Sequence, residues 1–236
     1  DKSPVTIGDF SAQATINYIL NKKFPHDGIV AEETSSDLQG EAGKTNRDKV
    51  CALVNEALQA SGEIQTPLSD DDILATIDKG AFQGGRQSRF WTLDPIDGTK
   101  GFLRGGQYAV CLALIVDGNV ELGVLGCPNL PCDKSKPKPA DGEIRTSTMD
   151  GLGVMFVALR GHGAYSVPID DVHAPLVPVC MRDLQGDIRQ ATFCESVDAG
   201  HSSLGTNARI AELLGMGDRH VRMDSQAKYG SISRGD

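Results

Sequence analysis

Phe90-Trp91-Thr92-Leu93-Asp94-Pro95-Ile96-Asp97-Gly98-Thr99 passes from a strand-forming run into a pair of carboxylates. Phe90 to Leu93 are aromatic, β-branched or aliphatic and predict a buried strand. Asp94 and Asp97 then leave its end. Hard divalent cations such as Mg²⁺ take oxygen ligands, and carboxylates at the mouth of a sheet supply them. Pro95 fixes one backbone angle and stiffens the turn. The Ile96 carbonyl can face the same ion. Gly98 lets a ligand approach the backbone closely. Thr99 stands where a helix or turn would begin, and free amides there favour an anion such as phosphate.

Two further acidic elements lie upstream. Glu32-Glu33 follows Ile29-Val30-Ala31, a short apolar run that predicts another buried strand. Asp9 opens a helix expected over 9–20. If Asp9, Glu32, Asp94 and Asp97 converge, the cluster repels itself unless cations neutralise it. Two or three Mg²⁺ ions would do so and would clamp a phosphate ester for in-line attack by water. Taken singly, each element has a plainer reading. An Asp-x-x-Asp is usually a cap or a solvated loop, Glu-Glu after a strand is usually surface charge, and Asp9 alone reads as a helix cap.

The rest of the chain reads as alternating helices and hairpins. Arg47–Leu58 predicts an amphipathic helix with Val50, Leu53, Val54, Ala57 and Leu58 on one side. Ser69-Asp70-Asp71-Asp72 caps a helix over 73–79, and a glycine-rich basic loop follows over 80–89. Strands over 108–116 and 120–125 flank Asp117-Gly118-Asn119, a hairpin signal. A second hairpin is expected over 154–160 and 163–167. Lys134–Asp141 reads as a solvated surface loop, and the Pro-containing stretch 168–178 as a linker. Beyond it come a strand over 191–194, a helix over 206–214, and a strand over 220–223 that feeds Asp224-Ser225-Gln226-Ala227-Lys228. The pattern predicts a layered α/β (α+β) fold rather than a doubly wound parallel sheet. It divides into residues 1–177, which carry the acidic site, and 178–236.

Composition excludes several classes. The 236 residues are 39% hydrophobic and 23% charged, the balance of a globular protein. A net charge of −9 argues against a nucleic-acid surface. No apolar run reaches membrane-spanning length, and Asp1-Lys2-Ser3-Pro4 carries no signal-peptide core. The six cysteines form no Cys-x-x-Cys pair and read as free thiols of a reducing compartment. A cytoplasmic location is therefore expected, with no nucleic-acid or membrane partner; a monomer is the expected oligomeric state, though no feature of the composition decides it.

Trp91-Thr92-Leu93-Asp94-Pro95-Ile96-Asp97-Gly98-Thr99 resembles the metal-binding signature of the lithium-sensitive, Mg²⁺-dependent phosphatases of the inositol-monophosphatase superfamily. Ala31-Glu32-Glu33-Thr34 is similar to the family's Gly-Glu-Glu-Ser/Thr element, and Pro4-Val5-Thr6-Ile7-Gly8-Asp9 to its opening Pro-Val-Thr-x-x-Asp element. Thr99-Lys100-Gly101-Phe102-Leu103-Arg104-Gly105, His201-Ser202-Ser203 and Met223–Tyr229 resemble the bisphosphate-nucleotidase branch. The resemblance implies the sugar-phosphatase fold of alternating helix and sheet layers. It also implies a set of roles. Glu32, Asp94 and the Ile96 carbonyl hold one Mg²⁺, and Asp94 and Asp97 a second. Asp9 and Thr99 activate the attacking water. The amides of Gly98 and Thr99 hold phosphate oxygens. His201, Ser225 and Lys228 contact a nucleotide.

The implied reaction converts adenosine 3′,5′-bisphosphate to AMP and phosphate, a step of sulfate assimilation. 3′-Phosphoadenosine 5′-phosphosulfate is a second expected substrate. Without the resemblance, His201 reads as a surface or capping residue, Ser225 as an N-cap and Lys228 as solvated. Chains of this family usually run on to a Trp-Asp element, whose aspartate completes the second metal site, and to an arginine that grips the nucleotide. This sequence ends at Ser233-Arg234-Gly235-Asp236. The expectation is a fold truncated at its C-terminus, with two competing readings: an inositol phosphate phosphatase, or a non-catalytic nucleotide binder.

Overall fold

The computed structural model describes residues 4–133, 151–171, 173–197, 203–217 and 219–236. The expected loop Lys134–Asp141 and His201 lie outside the described residues. Packing divides the chain into two compact units, residues 1–99 with 110–123, and 100–109 with 124–236. That grouping follows packing, whereas the division at residue 177 follows composition and expected role.

In the first unit, α1 (Ile7–Lys23) starts at a reciprocal cap. The Thr6 hydroxyl accepts from the Gly8 amide, and the Thr6 amide and hydroxyl donate to Asp9. This capping box satisfies amides that the helix itself leaves open. β1 (Gly28–Ala31) follows, then α2 (Lys44–Ala60) and α3 (Asp70–Asp78), the last capped by Ser69 as its sequence predicts. β2 (Arg89–Asp97) lies beside β1 in parallel, with Gly28 opposite Phe90 and Ala31 opposite Leu93. Asp27 fastens the start of this pair: the Trp91 indole donates to it at 3.0 Å and the Arg89 guanidinium at 2.9 Å.

β2 runs on through Pro95 to Asp97, where the sequence suggests a turn. Its register with β1 ends at Leu93. The missing Pro95 amide therefore removes no bond from that pairing.

α4 (Thr99–Leu103) starts directly after Gly98, and its residues from Lys100 on belong to the second unit. β3 (Ala109–Val116) and β4 (Asn119–Pro131) follow, and strand order in this part of the sheet is β1-β2-β3-β4. Asp117 and Gly118 join β3 to β4 with φ of 48° and 76°. Two successive positive φ values make the turn whose twist suits a two-residue hairpin.

α1 lies between two apolar layers. Phe10 and Ala14 pack with Val50, Val54 and Leu58 of α2 and with Ile73 and Ile77 of α3. Leu20 and Ile16 pack with Ile29, Trp91 and Leu114 of the sheet. A helix buried on two sides needs no single apolar stripe. On α2 the buried stripe is Val50, Cys51, Val54 and Leu58. Leu53, expected on that side, is 45% exposed, and Ala57 is exposed as well. At about 100° per residue, both fall to one side of the stripe centred between Val50 and Leu58.

In the second unit, β4 continues from Val124. β5 (Leu152–Leu159), β6 (Gly163–Pro168) and the short β7 (Val177–Pro178) extend the order β4-β5-β6-β7, with β5, β6 and β7 antiparallel. A separate two-stranded parallel sheet pairs β8 (Phe193–Glu195) with β9 (His220–Arg222), and α5 (Leu204–Leu213) lies between them in sequence. α6 (Ala227–Arg234) closes the described chain. Parallel and antiparallel pairings with interleaved helices give the layered α/β architecture that the sequence predicts. Among the described residues, no helix is long and apolar enough to cross a membrane.

Leu58 is fully buried. Leu58→Ala should cost about 2–5 kcal/mol of stability by urea denaturation. Leu53→Ala should stay within about 0.5 kcal/mol of the parent. Equal losses at the two positions would contradict the packing of α2.

Candidate active site

The parallel register of β1 and β2 builds the site. Ala31 pairs with Leu93, so the next residue on each strand is acidic: Glu32 on one and Asp94 on the other. Parallel strands deliver their carboxyl ends to the same edge, where ligands collect in α/β sheets. Asp97 ends β2. Asp9 comes from the first turn of α1. All four carboxylates and Glu33 belong to the first unit.

The charges act on one another. Burial, first, and then the charges of Glu32, Asp97 and Asp9 push the Asp94 carboxyl up to about 7, and a hydrogen bond with Glu32 adds to the rise. Burial also pushes Glu33 up to about 7, helped by Glu32, Asp9 and Asp37. Like charges brought together out of water hold on to protons unless something positive replaces them.

Asp94 supplies the sharper observation. Its Oδ1 is buried and has no hydrogen-bond partner among the described residues. An orphaned carboxylate oxygen in a burial site is costly, and a bound cation removes that cost. Among the described residues, no group of three or more His, Cys, Asp or Glu side chains is gathered closely enough to hold a metal ion as placed. The carboxylates are nonetheless near enough to raise one another's pKa. The donor set, all hard oxygen, fits Mg²⁺ or Mn²⁺.

The remaining expected residues are placed as follows. The Ile96 carbonyl accepts the Thr99 hydroxyl at 3.1 Å. Asp9 is 2% exposed, and its Oδ2 accepts from the Thr6 amide at 2.8 Å and the Thr6 hydroxyl at 2.6 Å. The cap therefore fixes the orientation of the Asp9 carboxylate. Gly98 has φ of 86°, a conformation that side chains rarely adopt, so the bend after Asp97 depends on glycine.

Ser225 and Lys228 belong to the second unit. Ser225 is buried with φ of 65°, and its hydroxyl accepts from the Ala227 amide at 3.1 Å. The neighbouring Asp224 is held by the Arg104 guanidinium and by the Ser196 hydroxyl. This bracing holds Ser225 in its left-handed conformation. Lys228 is half-buried at the start of α6.

One buried polar residue next to the acidic segment escapes the sequence reading. Gln13 is fully buried on α1 and hydrogen-bonds the backbone of Glu33. Its only signal is a spacing of four from Asp9, in a helix that otherwise reads as a mixture of small and apolar residues.

The profile of the inositol monophosphatase family matches residues 1–236. The chain belongs to that family. Its relatives include proteins named 3′(2′),5′-bisphosphate nucleotidase. The one from Emericella nidulans is 47% identical over 241 residues, covering 100% of this chain and 68% of the relative. The Schizosaccharomyces pombe protein is 44% identical and is covered over 64% of its length. An Arabidopsis thaliana protein named 3′(2′),5′-bisphosphate nucleotidase 1 is 42% identical and is covered over 66%. The chain thus spans about two thirds of the length of these relatives.

Solved structures of family members share the fold. A staphylococcal inositol monophosphatase-1 superposes with a TM-score of 0.51 at 14% identity, covering 99% of this chain and 60% of that one. A dual-specific IMPase/NADP phosphatase bound with D-inositol-1-phosphate gives 0.51 at 15% identity, covering 98% and 60%. For this member of the inositol monophosphatase family, identities that low speak to architecture alone.

The pH response of the acidic site follows from the raised carboxyls. Asp94 and Glu33 titrate near 7 when folded, but near 4 when unfolded. Between those values the folded chain binds more protons, so stability falls as pH rises from about 4 to 7. Thermal unfolding in a chelator should therefore occur at higher temperature at pH 5 than at pH 8. Millimolar Mg²⁺ should restore the loss at pH 8. Asp94→Asn should flatten the pH slope and weaken the Mg²⁺ effect. An unchanged slope in Asp94→Asn would remove Asp94 as its source.

Proposed function

We propose that the protein is a Mg²⁺-dependent phosphomonoesterase that converts adenosine 3′,5′-bisphosphate to AMP and phosphate, with 3′-phosphoadenosine 5′-phosphosulfate as a second substrate. The carrying observation is the orphaned, buried Asp94 Oδ1 at the edge where β1 and β2 also deliver Glu32 and Asp97. The relatives named 3′(2′),5′-bisphosphate nucleotidase, at 42–47% identity, support the choice of substrate.

In this reading Glu32, Asp94, Asp97 and the Ile96 carbonyl hold the cations, two or three in number. Bound Mg²⁺ supplies charge neutralisation, polarisation of a phosphoryl oxygen and acidification of a water. The other steps belong to the chain. Thr99 and Asp9 orient the attacking water, whose proton passes to the Thr99 hydroxyl as that hydroxyl turns away from Ile96 and gives its own proton to the Asp9 carboxylate. The amides at Gly98 and Thr99 bind phosphate oxygens. Ser225, Lys228 and His201 contact the nucleotide.

Residues 1–177 then carry the metal site, and 178–236 carry nucleotide contacts. A cytoplasmic location, supported by six cysteines none of which is disulfide-bonded, and a monomeric state complete the proposal.

Phosphate release from adenosine 3′,5′-bisphosphate should require Mg²⁺ and be inhibited by lithium. Asp94→Asn and Asp97→Asn should each lower kcat/KM by about a hundredfold or more, at least the upper end of what loss of an outer-shell partner costs a metal site. Inositol 1-phosphate should be a poor substrate. Equal or better turnover of inositol 1-phosphate would move the protein to another branch of the family. Nucleotide binding without turnover at high Mg²⁺ would make it a binder.

A further inference from the structure

α1 carries three polar side chains on its buried side at a spacing of four: Asp9, Gln13 and Asn17, which are 2%, 0% and 0% exposed. That spacing stacks them along one side of the helix. Asp9 belongs to the proposed site, and Gln13 does not. The Gln13 carboxamide is engaged at both ends. Its Nε2 donates to the Glu33 carbonyl at 2.7 Å and to the Ile77 carbonyl at 3.0 Å. Its Oε1 accepts from the Glu33 amide at 2.9 Å. One side-chain amide thus gives Glu33 the pair of bonds that a neighbouring strand would give.

The backbone shows what Gln13 replaces. The edge of β1 away from β2 is paired by residues 80–82. The Ala31 amide donates to the Gly80 carbonyl at 2.9 Å, and the Phe82 amide to the Ile29 carbonyl at 3.0 Å. That pairing stops at Gly80, and Gln13 continues it at Glu33. The close approach depends on a missing side chain: a Cβ on Gly80 would lie 2.7 Å from the Ala31 Cβ and 3.1 Å from the Gln13 Nε2. Two residues beyond Glu33, Asp78 at the end of α3 grips Ser35 in the same two-point manner. The Ser35 amide donates at 2.8 Å and its hydroxyl at 2.7 Å. The acidic segment past β1 is therefore held by two side chains, one before its end and one after.

We propose that Gln13 is a positioning residue of the acidic site, seconded by Asp78. Its carboxamide fixes the Glu33 backbone and so aims the adjacent Glu32 at a divalent cation bound there. The proposal rests on the metal reading above. A purely structural role is already filled by Asn17, whose Nδ2 donates to the Thr76 carbonyl at 3.1 Å and the Ile77 carbonyl at 3.3 Å. Asn17 ties α1 to α3 without bonding the acidic segment. Groups one layer outside a metal's ligands commonly set affinity by about 10–100-fold, because they fix where the ligands point.

The test compares Mn²⁺ binding by calorimetry in the parent, Gln13→Met and Asn17→Leu, with amide exchange at Glu33 followed in parallel. Gln13→Met should raise the Mn²⁺ dissociation constant about tenfold or more and expose the Glu33 amide to exchange. Asn17→Leu should destabilise the chain yet keep Mn²⁺ affinity within about twofold. Equal weakening in both variants, or unchanged exchange at Glu33 in Gln13→Met, would overturn the proposal. If Gln13→Met does not fold, Asp78→Asn and Ser35→Ala probe the same segment from its other end. Each should weaken Mn²⁺ binding several-fold, and parent-like affinity in both would overturn the proposal. A parent that binds no Mn²⁺ would sink the metal reading itself, a result visible before any variant is made.

Discussion

The parallel pairing of β1 and β2 is the constraint on which the acidic site depends. Four residue pairs, from Gly28–Phe90 to Ala31–Leu93, set the register. A slip of one residue would turn every side chain beyond them to the opposite face. Asp27 secures the start of the pair through Trp91 and Arg89. The segment 80–82 secures the other edge of β1. The apolar contacts of Ile29, Trp91 and Leu114 with α1 hold the same strands from one face. Most of the first unit thus serves to keep two strand ends level.

Such an arrangement opposes itself electrostatically. Carboxylates that water would keep apart are held near a buried strand end, and Asp94 and Glu33 respond by keeping their protons to about 7. The fold carries this strain on apolar packing elsewhere, chiefly the layer of α1, α2 and α3. Stability concentrated away from a site lets the site itself stay unsatisfied. The orphaned Asp94 Oδ1 is the plainest trace of that bargain. Beside it, the neutral amides of Gln13 and Asn17 are buried against backbone carbonyls, and they give α1 a fixed seat without adding to the charge.

Much of the fold was legible along the chain because its signals are local. Thr6 and Asp9 form a cap, Ser69 another, and Asp117-Gly118 a hairpin turn, each written within a few residues. Strand and helix order followed from apolar periodicity, and the layered α/β class from that order. Periodicity misled where an element meets two surfaces or only part of one. Leu53 looks like a core residue of α2 yet faces solvent, because the angle at which α2 meets α1 and α3 decides which apolar residues are covered. Gln13 carries no sequence signal of burial yet is fully buried, because its partners lie on the segment after β1 and on α3.

From the sequence alone came the identity of the acidic residues and the family whose motifs they match, since Asp94 to Thr99 is a contiguous string that can be recognised without reference to any distant partner. Tertiary structure alone decided that Glu32 stands beside Asp94 and that, among the described residues, one oxygen of Asp94 lacks a partner. The reason is physical. Hydrogen-bonded caps and turns are set by neighbours in the chain, whereas the field at a carboxylate is set by every charge and every apolar atom near it in space. No spacing along a sequence encodes which of those come near until the strands have paired.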